Sequence, residues 1–188
     1  MALFKARRAL PPLDEQRLGE LALRYVERFA TTRAKLRSYL QRKVRERGWN
    51  GKDGPDFEAI AARFAERGYV DDAGYALAKS RSLTGRGYGK RRVVEALRIV
   101  GVDESDSEGA RELADAEAVG TALRFAEKRR IGPFAQRTTD DPTDRQKAIK
   151  AMVRAGHSFA LARAIVAAGP GEPLNLEDLR RHARIDLP

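Results

Sequence analysis

The sequence predicts an all-α protein, an elongated, curved array of three tandem three-helix repeats. Three observations carry this prediction. The 188 residues are rich in Ala, Leu, Arg and Glu, the strong helix formers, with 42% hydrophobic and 34% charged residues. Aromatic residues make up only 7% and β-branched runs are short, which argues against a sheet-built core. Apolar residues recur at helical spacing in segment after segment, and glycine closes most of them.

Residues 1–13 are basic and interrupted by proline, and are expected to be a flexible N-terminal segment. From Asp14, the residues Leu18, Leu21, Ala22, Tyr25, Val26 and Phe29 form one apolar face. Thr31 or Thr32 can cap a second helix that carries Leu36, Leu40 and Val44 inward and ends at Gly48. Pro55 suits the first position of a third helix, with Phe57, Ile60, Ala61, Phe64 and Ala65 on one face and Gly68 at its end. Asp71 or Asp72 caps a fourth, with Tyr75, Ala76 and Leu83 inward. A fifth starts near Gly89, buries Val93, Leu97 and Val100, and stops at Gly101. One long helix is expected over 108–129, on Leu113, Val119, Leu123 and Ala126, and then a polar loop over 131–143. Thr143 with Gln146 fits a capping box for the next helix, which buries Ile149, Met152 and Val153. Ser158 caps another, with Phe159, Ala162, Ile165 and Val166 inward, and Asn175 with Asp178 can start a short helix in the tail.

The terminations at Gly48, Gly101 and Gly156 recur at similar intervals. They divide the chain into repeat 1 (14–68), repeat 2 (69–116) and repeat 3 (117–168), with a C-terminal tail at 169–188. Units of this kind bury their apolar faces on one another.

There are 37 Lys and Arg against 27 Asp and Glu, a net charge of +10. Such a field attracts polyanions, nucleic acid first. The charges come in blocks. Residues 24–47 hold nine bases and two acids, 79–94 hold six bases, and 103–117 hold seven acids and one base. The second helix of each unit is the basic one. If those helices share a side, they form a positive stripe; the plain alternative is a set of solvated faces. The chain has no cysteine, so thiolate catalysis, disulfides and Cys-based metal sites are excluded. No signal peptide and no run of ~18 apolar residues is present, so a cytoplasmic, non-membrane protein is expected.

Catalytic readings fail on spacing. Gly85-Arg-Gly-Tyr-Gly-Lys90 is followed by Arg91, where a P-loop needs Ser or Thr for magnesium. No strand precedes it, as a dinucleotide fold requires. The N-terminus of the fifth helix can still offer backbone N–H groups to a phosphate. Asp71-Asp72 reads as a helix cap and macrodipole partner. His157 and His182 stand alone. Trp49 fits a core anchor better than an exposed stacking residue. No enzyme, cofactor or metal is expected.

The segment Gly68-Tyr-Val-Asp-Asp72, Tyr75-Ala76, Arg81, Gly87-Tyr-Gly-Lys-Arg-Arg-Val93, Glu95-Ala-Leu-Arg98 and Gly101-Val102 resembles the RecX family of regulatory proteins. So do Ala22-Leu-Arg-Tyr25, Thr32-Arg33-Ala-Lys-Leu36, Leu40, Lys43 and Gly48-Trp49. Ala151-Met-Val-Arg-Ala-Gly-His-Ser158 and Ile165 match more weakly. Val100, Ala155 and His157 depart from the family pattern, as does the long 131–143 loop. The resemblance implies a helical-repeat, non-enzymatic protein that binds the RecA filament and DNA and modulates RecA in recombinational repair and the SOS response. The alternative is a stand-alone nucleic-acid-binding helical module. A monomer is expected. The candidate DNA- or RecA-binding residues are Arg33, Lys35, Arg37, Lys43, Arg81, Arg86, Lys90, Arg91, Arg92, Lys147, Lys150 and Arg154.

Overall fold

A computed structural model describes residues 11–138 and 141–185. Within them the chain is helical, and its pairing outside helices is a single bridge between Leu13 and Trp49. The described residues form two compact units that divide between Tyr75 and Ala76.

The first unit holds α1 (Glu15–Val26), α2 (Arg33–Arg47) and α3 (Phe57–Glu66). Each starts on a side-chain cap that accepts a backbone N–H: Asp14 from Arg17, Thr32 from Lys35 and Asp56 from Ala59. Asp56 takes the cap of α3, so Pro55 lies before the helix and not at its first position. The core gathers Leu13, Leu18, Ala22, Leu36, Leu40, Ala61, Phe64 and Val70. Two expectations need correcting. Residues 1–10 lie outside the described residues, but Leu13 is fully buried and exchanges hydrogen bonds with Gly48 and Asn50, so the anchored chain starts before Asp14. Phe29, expected on the apolar face of α1, is 54% exposed because the helix ends at Val26 and the chain turns out of register. Trp49 is half-buried against the core, its indole N–H donating to the Asp53 carbonyl at 2.6 Å.

Helix α4 (Asp72–Gly85) begins in the first unit and continues into the second. The second unit then holds α5 (Lys90–Ile99), α6 (Glu104–Ala116), α7 (Ala118–Arg129), α8 (Pro142–Arg154), α9 (Phe159–Ala167) and α10 (Leu176–Arg184). Its buried side chains form two clusters. One joins Ala76, Leu83, Val93, Leu97, Ala110 and Ala114; the other joins Ala122, Ala126, Ile131, Met152, Leu161, Ala162, Ile165 and Leu179.

The expected long helix over 108–129 is two helices that start earlier, at Glu104, and break at Glu117 (φ −91°, ψ 5°). Their fully buried positions are small ones, Ala110, Ala114, Thr121, Ala122 and Ala126, which allow close helix approach. Leu113, Val119 and Leu123 are only half-buried. The 131–143 segment holds a 3-10 turn at Gly132–Phe134. Asp141, not Thr143, caps α8, by accepting from the Thr143 N–H at 2.7 Å, and Pro142 takes the first helical position. Phe159 is 53% exposed, and Leu161 takes the inward place expected for it. Val100 is half-buried. The tail is no loose appendage: Leu179 of α10 is buried in the second cluster, against α7 and α9.

Candidate functional site

The candidate cations of α2 are largely engaged within the first unit. Arg33 pairs with Asp72 through Nε at 3.2 Å, and its backbone N–H donates to the same carboxylate at 2.9 Å. Asp72 is 6% exposed. It caps a helix, as its composition suggested, but that helix is α2 and not its own. Asp71 caps α4 by accepting from the Gly74 N–H at 2.8 Å. Lys35 donates to the Tyr75 hydroxyl at 2.8 Å, with its ammonium 4.9 Å from the ring centre. Arg37 is paired with Glu58. Lys43 donates to Glu46 at 2.6 Å, and this bond holds the Glu46 carboxyl below its usual range.

In the second unit the glycine-rich stretch between α4 and α5 is a packing joint. Gly87 adopts φ +89° against the α7 backbone at Phe125. The Gly89 N–H donates to the Ala155 carbonyl at 2.9 Å, and the Arg91 N–H to the Gly156 carbonyl at 3.3 Å. A Cβ on Gly156 (φ +98°) would meet the Arg92 nitrogen at 2.5 Å. So the first turn of α5 is covered by the α8–α9 connection, and the expected open helix terminus for a phosphate is corrected: the N–H groups of Gly89, Arg91 and Arg92 already serve protein carbonyls. His157 completes the joint. It is 2% exposed, its Nε2 lies 3.1 Å from the Gly87 carbonyl, and its ring lies 5.5 Å from that of Phe125. A carbonyl only accepts, so Nε2 carries the proton. Burial lowers its pKa to about 4, so the ring is neutral at pH 7.

The same joint gathers cations. Arg91 and Arg92 on the first turn of α5 sit beside the strand of chain that leaves Arg154, the last residue of α8. Arg92 pairs with Glu95 at 2.6 Å and Lys90 with Asp115 at 2.6 Å. Arg86 stacks over Tyr88, 5.3 Å from the ring centre. Lys147 pairs with Asp144 at 2.9 Å, which raises the pKa of its ammonium. Arg81, Lys150 and Arg154 are exposed with no acidic partner among the described residues.

Periodicity missed two cations of α7. Arg124 donates to the Thr84 carbonyl at 3.3 Å and to Glu117 at 2.8 Å, and Lys128 donates to the Arg86 carbonyl at 3.3 Å. They satisfy carbonyls at the end of α4, where the helix dipole favours positive charge. Their only signal in the sequence is an i, i+4 basic pair, which also fits a solvated face. Among the described residues no three His, Asp or Glu side chains converge to hold a metal ion, and no helix is long and apolar enough to cross a membrane.

No protein-family model matches the chain. A relative named regulatory protein RecX, from Myxococcus xanthus (strain DK1622), is 29% identical over 163 residues, which cover 81% of this chain and 86% of that one. The crystal structure of RecX from Lactobacillus salivarius superposes with a TM-score of 0.62 at 19% identity, covering 80% of this chain and 93% of that one. The resemblance seen in the sequence is thus borne out, and the all-helical fold is that of RecX.

Proposed function

We propose that this chain, RecX-like in sequence and fold, is a non-enzymatic regulator of the RecA recombinase that acts by binding the RecA filament and its DNA. The observation that carries the reading is the similarity to a RecX regulatory protein over more than four-fifths of both chains. The arrangement of cations supports it. Arg81, Lys150 and Arg154 are exposed cations of the second unit, and Arg91 and Arg92 lie by the α8–α9 connection; cations of this kind suit phosphates or an acidic protein face. The three buried apolar clusters support a chain of tandem units with boundaries near 68 and 116. Inhibition by occupying the filament needs no chemistry on a substrate.

The deciding measurement is RecA ATP hydrolysis on single-stranded DNA with the protein titrated in. A change at stoichiometric ratios is expected; none would end the proposal. Lys90, Arg91 and Arg92 changed together to Ala should weaken binding and flatten its salt dependence by about one unit for each phosphate no longer bound. The second reading, a nucleic-acid-binding module without RecA, draws on the same exposed cations. It predicts equal affinity for bare and RecA-coated single-stranded DNA.

A further inference from the structure

A different surface, in the first unit, carries an alternation of aromatic rings and cations that the basic-helix reading does not use. The sequence repeats one pair at a spacing of four, Arg24-Tyr25 and Arg28-Phe29. On the structure the Tyr25 ring lies face to face with Tyr39 of α2, centres 4.2 Å apart and planes 13° apart, and Phe29 lies at 5.4 Å from Tyr25. The guanidinium of Arg28 stands 5.9 Å from the Phe29 ring centre and that of Arg42 stands 5.7 Å from Tyr39. These residues line an open groove whose walls hold three arginines and three aromatic rings and no carboxylate, although Arg24 and Arg42 each have an exposed partner one turn away on their own helices, Glu20 at 3.8 Å and Glu46 at 3.6 Å. Phe29 is 54% exposed, although it follows the apolar rhythm of α1. Arg28 has no acidic partner among the described residues.

We infer that this groove is a stacking platform for unpaired nucleic-acid bases, with Phe29 as the ring that receives a base and Arg28 and Arg42 as the cations that hold the flanking phosphates. The inference deepens the nucleic-acid half of the proposed function and rests on that half alone. A base offers a flat π face to Phe29, and its backbone offers negative charge to the arginines; a duplex hides its base faces and can use only the charges. A protein partner is the weaker fit, because the groove offers a cationic rim with no carboxylate to answer a partner's cations. The platform therefore distinguishes single strands from duplexes, which a basic stripe alone does not.

The test is fluorescence anisotropy of the full chain with a fluorescein-labelled oligothymidylate and with a duplex of equal length, across a salt series. Phe29→Ala should lower single-strand affinity roughly tenfold and leave duplex affinity and the salt slope unchanged, because a stacking contact releases no counterion. Phe29→Trp should retain or raise single-strand affinity. Arg28→Ala should reduce the salt slope by about one. Phe29 is exposed, so circular dichroism should show both Phe29 variants folded. Unchanged single-strand affinity in Phe29→Ala overturns the inference, as does an equal drop on duplex. If that variant loses its effect on RecA with single-strand affinity intact, the groove is a protein-binding surface and the inference is wrong. The RecA ATPase titration stands apart: a protein inert toward RecA that still binds single strands through Phe29 keeps this inference and sinks the regulatory one.

Discussion

Helices α2 and α5 look alike in the sequence and are built in opposite ways. Both open with basic residues, Arg33 and Lys35 in one and Lys90, Arg91 and Arg92 in the other. The start of α2 is closed by side chains: the Thr32 hydroxyl accepts from Lys35 and the Asp72 carboxylate from Arg33. The start of α5 has glycine at its cap and no side-chain hydrogen bond there. Backbone carbonyls of Ala155 and Gly156 close it instead. The difference teaches where the cations go. A carboxylate at the head of α2 takes the Arg33 guanidinium with it, so that cation becomes structural. Carbonyls at the head of α5 are neutral and draw no cation onto the cap; Lys90 and Arg92 pair instead with Asp115 and Glu95, away from it.

The two constructions fail differently. The largest effect is expected at the backbone joint. Gly156→Ala places a Cβ at 2.5 Å from the Arg92 nitrogen on a backbone with φ +98°, and should cost upward of about 3 kcal/mol in urea unfolding. Gly85→Ala, with open space around it, should be close to neutral and serves as the control. Next comes pH. His157 stays neutral in the folded chain down to about pH 4, whereas the unfolded chain takes up a proton near 6.5. Between those values the unfolded state binds the extra proton, so stability falls as pH drops through the window and the penalty is absent above it. Full protonation of the unfolded chain alone is worth about 3 kcal/mol. His157→Gln removes this part of the pH dependence, read as the difference between two stability–pH curves.

Smaller effects are expected at the head of α2. Asp72→Ala should cost about 2 kcal/mol, short of a fully buried pair because the Arg33 side chain keeps 35% exposure. Asp72→Asn should recover part of that stability, since an amide oxygen can still accept from the Arg33 N–H. Thr32→Ala should cost about 1 kcal/mol, the usual worth of one cap. Urea unfolding at pH 7 measures all three. If Asp72→Ala proves costlier than Gly156→Ala, the contrast between the helices is inverted.

Much of this was legible in the residues. Leu18, Ala22, Leu36, Leu40, Val93 and Leu97 fall at helical spacing and are buried as that spacing requires. Gly48, Gly68, Gly101 and Gly156 end helices with positive φ, where a side chain would be strained. The candidate surface was less legible. A lysine or arginine reads the same whether it meets water, a phosphate or a carboxylate folded in from elsewhere. Nothing near Arg33 announces Asp72, and nothing near Lys35 announces the Tyr75 hydroxyl. Arg124 and Lys128 looked like surface charges and hold the end of α4.

By itself the sequence determined the all-helical class, most of the helices and their glycine ends, the basic balance and the family likeness, because these depend on residues within a turn or two of one another. Only the tertiary structure decided which charges remain available. It turned the Gly85–Lys90 stretch from a phosphate-like loop into a joint between backbones, moved Asp72 to the head of a neighbouring helix, and left Phe29 exposed beyond the end of α1. The first two are settled by groups far along the chain, and the third by where α1 stops. Local periodicity carries no information about where such a group arrives.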